Sequence, residues 1–122
     1  MAFGKQIGEF SLKSKGMTVI DETSFTENWE GTATIDGASA TVILSLGADG
    51  DETGGEFETR VNAFLASGGL LRAHEHGTYE AIGGLKWRGR SIGRLSDGRT
   101  IAAEGEVDMA TRSWTGKLFE WN

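Results

Sequence analysis

The sequence of 122 residues contains no cysteine and no proline. Without cysteine the chain forms no disulfide and offers no thiol for catalysis or metal binding, which is typical of proteins in a reducing compartment. Proline is kept out of the centre of hydrogen-bonded sheets because it lacks an amide proton. A chain free of proline is therefore compatible with strands along its whole length.

Long apolar runs and positive charge are also scarce. No segment is apolar over the length of a membrane span, and the N-terminal MAFGKQIGEF is not followed by the apolar segment of a signal peptide. The formal net charge of −6 disfavours nucleic acids and anionic membranes as partners, because both bind basic surfaces. We therefore predict a single domain over residues 1–122, located in the cytoplasm.

Glycine is abundant, at 19 positions, and the segments between turn signals alternate between apolar and polar residues. Such alternation is typical of half-buried strands. It predicts eight strands, at roughly 4–14, 22–35, 39–47, 55–66, 70–82, 85–96, 99–109 and 112–121. All connections but the first are short, so consecutive strands should pair antiparallel. An all-β, eight-stranded antiparallel up-and-down barrel would close the sheet and remove its exposed edges.

The hairpin between the sixth and seventh strands has two alternatives. A three-residue loop at 96–98, with its glycine in the left-handed conformation, pairs Arg90 with Glu104 across the strands. A two-residue loop would instead place Glu104 on the same face as Trp87, with no charge opposite it. Facing opposite charges and a shared apolar face both favour the three-residue loop.

The same reasoning extends the register to the fifth and eighth strands. The eighth strand pairs Val107 with Trp114, and a loop at 82–84 pairs Tyr79 with Trp87. These registers align four inward-facing glycines in one row: Gly77, Gly89, Gly105 and Gly116. Folded interiors are close-packed, so either large side chains from the opposite wall or a bound ligand must occupy the space beside this row.

The stretch LLRAHEHGTYE at 70–80 contains the two histidines of the chain, His74 and His76. Their H-x-H-x3-E spacing with Glu80 is similar to the first metal-binding motif of the cupins, but the chain lacks the histidine and proline of the second cupin motif. The predicted register turns all three side chains outward and gives Glu80 a partner in Lys86. We therefore predict an exposed polar face with no metal and no cofactor, although these residues could hold zinc adventitiously. A two-residue glycine turn would reverse the faces.

Two carboxylates, Glu27 and Glu75, fall at inward positions among apolar residues. Burial or mutual proximity would raise the pKa of a carboxyl group and create a general acid or base, which makes both catalytic candidates. The alternative is that one lies in water near a barrel mouth or binds Tyr79 or Ser91. The candidate ligand-binding residues are Trp29, Phe57, Tyr79, Trp87, Ser91, Trp114, Gly77, Gly89, Gly105 and Gly116.

Several large apolar residues are predicted to face outward. They are Phe10, Leu12, Ile43, Phe64, Ile92, Phe119 and Trp121. An apolar exterior of this size favours a homodimer formed through an outer face of the sheet.

The C-terminal half resembles small uncharacterised bacterial β-barrel proteins whose architecture is similar to the allene oxide cyclase barrel. The resemblance covers residues 77–121 and rests on a G-x-Y-E strand, the S-D-G-R turn and the S-W-x-G-K segment. It implies an eight-stranded antiparallel barrel of the calycin or allene oxide cyclase kind, which admits ligands. It transfers no catalytic residue, so any function inferred from it is an analogy.

Three functions fit these features. The first is binding of an apolar or aromatic small molecule, with the aromatic residues as walls and the two glutamates as polar anchors. The second is a cofactor-independent cyclase or isomerase, in which the cavity holds the substrate in a reactive conformation and one carboxyl group moves a proton. The third is a structural or interaction module whose core is filled. A void beside the glycine row would separate the third function from the other two.

Overall fold

The computed structural model describes residues 3–121, which form a closed barrel of eight antiparallel strands in chain order. The strands are β1 (Phe3–Val19), β2 (Ser24–Ile35), β3 (Ala38–Gly50), β4 (Gly54–Leu65), β5 (Leu70–Gly83), β6 (Lys86–Leu95), β7 (Thr100–Asp108) and β8 (Ser113–Trp121). The predicted all-β up-and-down barrel is confirmed. Among the residues described, no helix is both long enough and apolar enough to cross a membrane.

The first strand is longer than predicted. β1 continues to Val19 through a segment that was predicted to be a connection, and it pairs Val19 with Phe25 of β2. The pairing shifts between Ser14 and Gly16, and Gly16 has a φ of 141°. Glycine adopts this backbone conformation without a Cβ clash, which lets the pairing of β1 with β2 continue past the irregularity.

The predicted registers of β6, β7 and β8 are confirmed. The loop at 96–98 has three residues, and Gly98 has a φ of 99°. Arg90 therefore faces Glu104, and their side chains approach to 3.4 Å on the outer surface.

The predicted register between β5 and β6 is wrong by two residues. The turn consists of Gly84 and Leu85, both with positive φ, as in a two-residue type I′ hairpin. A bulge between Ala81 and Gly83 then restores the alternation, so Tyr79 faces Gly89 instead of Trp87. A shift of two residues leaves every side chain on its predicted face. It does break the predicted glycine row, because Gly77 lies opposite Ser91.

Phe10 and Leu12 point into the barrel, which corrects their predicted outward placement. Phe10 pairs with the inward Gly116 and Leu12 with the buried Trp114. The cause is a bulge at Ile7: Gln6 pairs with Phe119 and Gly8 with the adjacent Leu118. One extra residue on β1 reverses the inward and outward positions that follow it.

The other predicted outward apolar residues remain on the surface or partly on it. Ile43, Phe64 and Ile92 are exposed, whereas Phe119 and Trp121 are half-buried. Phe119 stacks on Phe3 with ring centroids 4.9 Å apart. A homodimer through this exterior stays a prediction.

Inward residues of β2, β3 and β4 supply most of the core. Buried positions on these strands alternate with outward ones, as is typical of half-buried strands: Glu27, Trp29, Ala33, Ile35, Val42, Leu44, Leu46, Phe57, Thr59 and Ala63. Trp114 of β8 completes this cluster, with its ring centroid 5.5 Å from that of Trp29 and 6.2 Å from that of Phe57. These edge-to-face contacts place a band of aromatic rings across the middle of the barrel.

Candidate functional site

Aromatic rings from β1 and β4 cover four inward glycines of β5 to β8, which are Gly77, Gly89, Gly105 and Gly116. A Cβ placed at Gly116 would meet the ring of Phe10, and one placed at Gly77 would meet the ring of Phe57. The alternative in which bulky side chains fill the space beside the glycines therefore holds in the middle of the barrel. The interior is divided by these rings, and space remains on either side of them.

The larger space, the mouth chamber, lies at the end of the barrel that carries the β1–β2, β3–β4 and β7–β8 loops. Its volume is about 400 Å³, within the range of small-molecule sites. Six aromatic side chains line it: Phe25, Trp29, Phe57, Tyr79, Trp87 and Trp114. Glu27 lies among them and is the buried carboxylate of this chamber.

Glu27 reaches this position because it alternates with Phe25 and Trp29 on the inward face of β2. Its side chain is 5% exposed, and Oε2 accepts a 2.6 Å hydrogen bond from the hydroxyl of Ser14. Burial raises the pKa of Glu27, against the opposing effects of Ser14, the Trp29 indole and the charge of Arg112. A carboxyl group with a raised pKa can exchange a proton nearer to neutral pH than an exposed glutamate can.

The indole N–H of Trp29 is the buried side-chain donor without a hydrogen-bond partner among the described residues. Trp29 is 1% exposed, and its indole lies near enough to favour the ionised form of Glu27 without making a hydrogen bond to it. This N–H has almost no accessible surface, so it acts on the Glu27 carboxylate and is not open to a ligand in the mouth chamber.

The loops at the mouth are held together by two aspartates. Asp21 accepts hydrogen bonds from the backbone amides of Thr23 and Ser24 in the β1–β2 loop. Asp51 does the same for Thr53 and Gly54 in the β3–β4 loop. These hydrogen bonds lower the pKa of both aspartates, so both are ionised at neutral pH and the rim of the chamber is negatively charged.

Trp87 and Tyr79 connect the chamber wall to the β3–β4 loop. The indole N–H of Trp87 donates a 3.0 Å hydrogen bond to the carbonyl oxygen of Glu52. The pKa of Tyr79 is raised, first by burial and then by the charges of Asp51 and Asp49. The phenol of Tyr79 therefore stays protonated and can donate a hydrogen bond at the chamber wall.

Glu75 lies on the other side of the aromatic band, in a separate inner chamber of about 70 Å³. Its side chain is 7% exposed, and it accepts hydrogen bonds from Ser91 at 3.0 Å and from Thr59 at 3.4 Å. Burial raises its pKa, and these two hydroxyls lower it. A volume of this size holds about two water molecules, at ~30 Å³ each, and no organic substrate.

The predicted candidate residues thus separate into three groups. The mouth chamber collects Glu27, Trp29, Phe57, Tyr79, Trp87, Gly89 and Trp114. Glu75 and Ser91 line the inner chamber, which Trp114 also borders. The remaining glycines, Gly77, Gly105 and Gly116, lie against Phe57 or Phe10 and line neither chamber.

The two glutamates do not raise each other's pKa. Mutual proximity was one of the two expected causes, and the structure supports the other, which is burial. Neither charge contributes to the pKa of the other, and they lie on β2 and β5 in different chambers. The hydrogen bond from Ser14 to Glu27 was missed, because the bulge at Ile7 was not visible in the sequence.

His74 and His76 face outward as predicted, but their carboxylate neighbour is not Glu80. Both imidazoles approach Glu58 of the adjacent strand β4, at 3.1 Å and 3.5 Å from Nε2 to Oε2. Glu80 instead faces Arg88, at 3.9 Å. The predicted Glu80–Lys86 pair is lost with the shifted β5–β6 register.

Comparisons of the chain with protein-family models, with curated proteins and with solved structures find no match.

Proposed function

We propose that the barrel binds a small organic molecule with an apolar or aromatic body in the mouth chamber. The buried carboxylate of Glu27, among aromatic side chains at the wall of a chamber of about 400 Å³, is the observation that carries this proposal. Carboxylates are rarely buried unless they are paired or hydrated, and Glu27 has no lysine or arginine among the described residues that line its chamber, which supports a cationic partner from outside the chain. Six aromatic side chains supply the apolar surface for the body of the ligand.

The charge of the chamber favours a ligand that carries a cationic group such as an amine. Asp21, Glu22, Asp51 and Glu52 belong to the lining together with Glu27, and none of the lining residues described is lysine or arginine. Arg112 acts on Glu27 from nearby but lies outside the lining. Carboxylates combined with aromatic faces attract cations and repel anions of the same shape.

The barrel architecture is compatible with the calycin or allene oxide cyclase kind, and a cyclase or isomerase is therefore the second candidate function. For this alternative Glu27 is the group that would transfer the proton, because it borders the chamber that can hold a substrate. Glu75 would then have a structural role, since its chamber is too small for a substrate. Binding alone requires fewer assumptions, and we place it first.

The test uses three probes of one size: ethylbenzene, phenethylamine and phenylacetate. Binding is followed through the indole N–H signals of the four tryptophans in two-dimensional ¹⁵N NMR spectra. We expect phenethylamine to bind most tightly and to shift the Trp29 signal, and phenylacetate to bind most weakly. Trp121 does not line the chamber and provides an internal reference.

Two variants identify the groups that bind. Glu27→Gln removes the charge and should weaken phenethylamine binding by about tenfold, as expected for the loss of a charged hydrogen bond. Glu30→Gln, on the outer face of the same strand, is the matched control and should leave binding unchanged. Equal losses in both variants, or no shift of Trp29 with any probe, would reject the proposal and favour a filled structural module.

A further inference from the structure

We propose that His74, His76 and Glu58 bind one divalent transition-metal ion, with zinc as the physiological choice, on the outer surface between β4 and β5. This site is independent of the mouth chamber, because its side chains face away from the barrel interior. The sequence alone predicted no metal here, because the predicted register turned the histidines to the solvated outer face and gave Glu80 a partner in Lys86. The residue that completes the site comes from the neighbouring strand.

The strands place the three side chains side by side. Residues two apart on a strand share a face, which brings His74 and His76 together, with ring centroids 4.8 Å apart. Glu58 is the direct cross-strand partner of His76. One ligand atom from each of the three residues lies within 4.8 Å of the other two.

The distances suit a tetrahedral ion. Nε2 of His74 and Nε2 of His76 lie 3.1 Å and 3.5 Å from Oε2 of Glu58. Bonds of about 2.0–2.1 Å from zinc to nitrogen and oxygen place neighbouring ligand atoms about 3.3–3.4 Å apart. An ion can therefore enter between these atoms with small side-chain movements and without displacement of the strands.

The surrounding charges prepare Glu58 as a ligand. Oε2 of Glu58 lies toward both imidazoles, and Oε1 lies toward Arg60. Arg60 lies 3.5 Å from Oε1, which orients the carboxylate and leaves Oε2 facing the histidines. Arg94, opposite His74 on β6, adds a positive charge nearby and moderates the affinity.

Two imidazoles and one carboxylate select among metals. Imidazole nitrogen suits zinc and copper, whereas magnesium and calcium require oxygen ligands. Three protein ligands leave the fourth tetrahedral position open. The side chains of His74 and His76 are 44% and 68% exposed, so that position faces solvent and can take water, a ligand group or a residue of a second molecule.

The test is a calorimetric titration of the purified chain with Zn²⁺, Cu²⁺ and Mg²⁺, each as the metal alone. We expect one Zn²⁺ per chain, tighter binding of Cu²⁺ and no binding of Mg²⁺. His76→Ala and Glu58→Gln should each weaken Zn²⁺ binding by roughly 100-fold. Loss of a residue that only hydrogen-bonds to a metal ligand already lowers metal affinity by up to about 100-fold. The histidine ring signals of His74 and His76 should shift together on addition of Zn²⁺.

Glu80→Gln is the matched control, because it removes the carboxylate at the H-x-H-x3-E spacing while leaving Glu58 in place. It should bind Zn²⁺ like the parent chain. All four side chains are on the surface, and circular dichroism should show that every variant keeps the fold. A Glu80→Gln loss equal to that of Glu58→Gln, or Zn²⁺ binding unaffected by His76→Ala, would overturn the proposal.

Discussion

A Cβ atom placed at Gly116 would lie 2.5 Å from Cζ of Phe10. The aromatic ring of β1 therefore occupies the space that a side chain at position 116 would need. The relationship arises from their direct pairing across the β1–β8 ladder that closes the barrel. Glycine at this position is a requirement of packing, and it fixes where the aromatic band divides the interior.

Gly116→Ala should destabilise the barrel by about 1–3 kcal/mol, because the added methyl group forces Phe10 or the backbone to move. Gly89→Ala is the matched control: its Cβ would lie 3.5 Å from the ring of Phe57, which is an ordinary contact. Gly89→Ala should lower the free energy of unfolding by less than about 0.5 kcal/mol. Alanine restricts the unfolded chain more than glycine does, and this offsets part of any loss in the folded state. Urea unfolding measures both, and equal losses would contradict the proposed packing.

Glu75→Gln should make the fold more stable at neutral pH and reduce the dependence of its stability on pH. Burial raises the pKa of Glu75 above its ordinary value of 4.5. Such a group takes up protons on folding. Its contribution to the free energy of unfolding is fully present below pH 4.5 and is lost as pH rises through the raised pKa of the folded state. Each unit of raised pKa costs about 1.4 kcal/mol once the group ionises.

Glutamine avoids that cost, because the hydroxyls of Thr59 and Ser91 can rotate to accept its amide protons. Thermal unfolding from pH 4 to pH 8 measures the difference between Glu75→Gln and the parent chain. The exposed Glu80→Gln provides the control and should follow the parent curve. A Glu75→Gln chain that loses stability equally at every pH would show that the carboxylate itself is needed for packing.

Binding of phenethylamine should strengthen as pH rises through the raised pKa of Glu27, since a cation binds the ionised carboxylate more tightly than the neutral one. Binding should then release protons, which titration calorimetry in buffers of different ionisation enthalpy measures. Ethylbenzene should show no such dependence. If the Glu27→Gln variant binds phenethylamine with no pH dependence, Glu27 is the titrating group. If the pH dependence persists in that variant, another group is responsible.

Leu85→Gly should stabilise the β5–β6 hairpin by up to about 1 kcal/mol. Leu85 has a φ of 61°, in the left-handed region that costs a side chain with a Cβ about 1–2 kcal/mol, and its exposed side chain contributes little packing. The flexibility of glycine in the unfolded chain offsets part of the gain. Val19→Gly, at an exposed strand residue without positive φ, should destabilise instead. Chemical unfolding compares the two, and a loss in Leu85→Gly would contradict strain at this turn.

The sequence predicted the fold well where turn chemistry and charge agreed. Gly98 in its three-residue loop and the facing Arg90 and Glu104 specify the same register for β6 and β7. The predicted β5–β6 loop at 82–84 is wrong because leucine is a poor residue for positive φ, so nothing in the sequence indicates that Leu85 forms the turn with Gly84. A 3.0 Å hydrogen bond from the Met109 amide to the carbonyl oxygen of Leu85 supports a conformation that the propensity of leucine disfavours.

The residues of the mouth chamber could be predicted as a set, but its boundaries could not. Alternation placed Glu27, Trp29 and Tyr79 inside the barrel, and a two-residue slip preserves that placement. The division into two chambers depends on Phe10, whose direction was reversed by the single extra residue at Ile7. Glu58 was missed as a neighbour of the histidines, because it is close to them only through the pairing of β4 with β5.

The pairing of Phe3 with Trp121 brings the two ends of the described chain next to each other on adjacent strands. A short linker could therefore connect them without crossing the barrel, and new termini could be opened at an exposed hairpin tip such as 84–85. A circularly permuted barrel of this kind would keep the eight-stranded order. It would let either mouth carry a fused reporter or affinity tag.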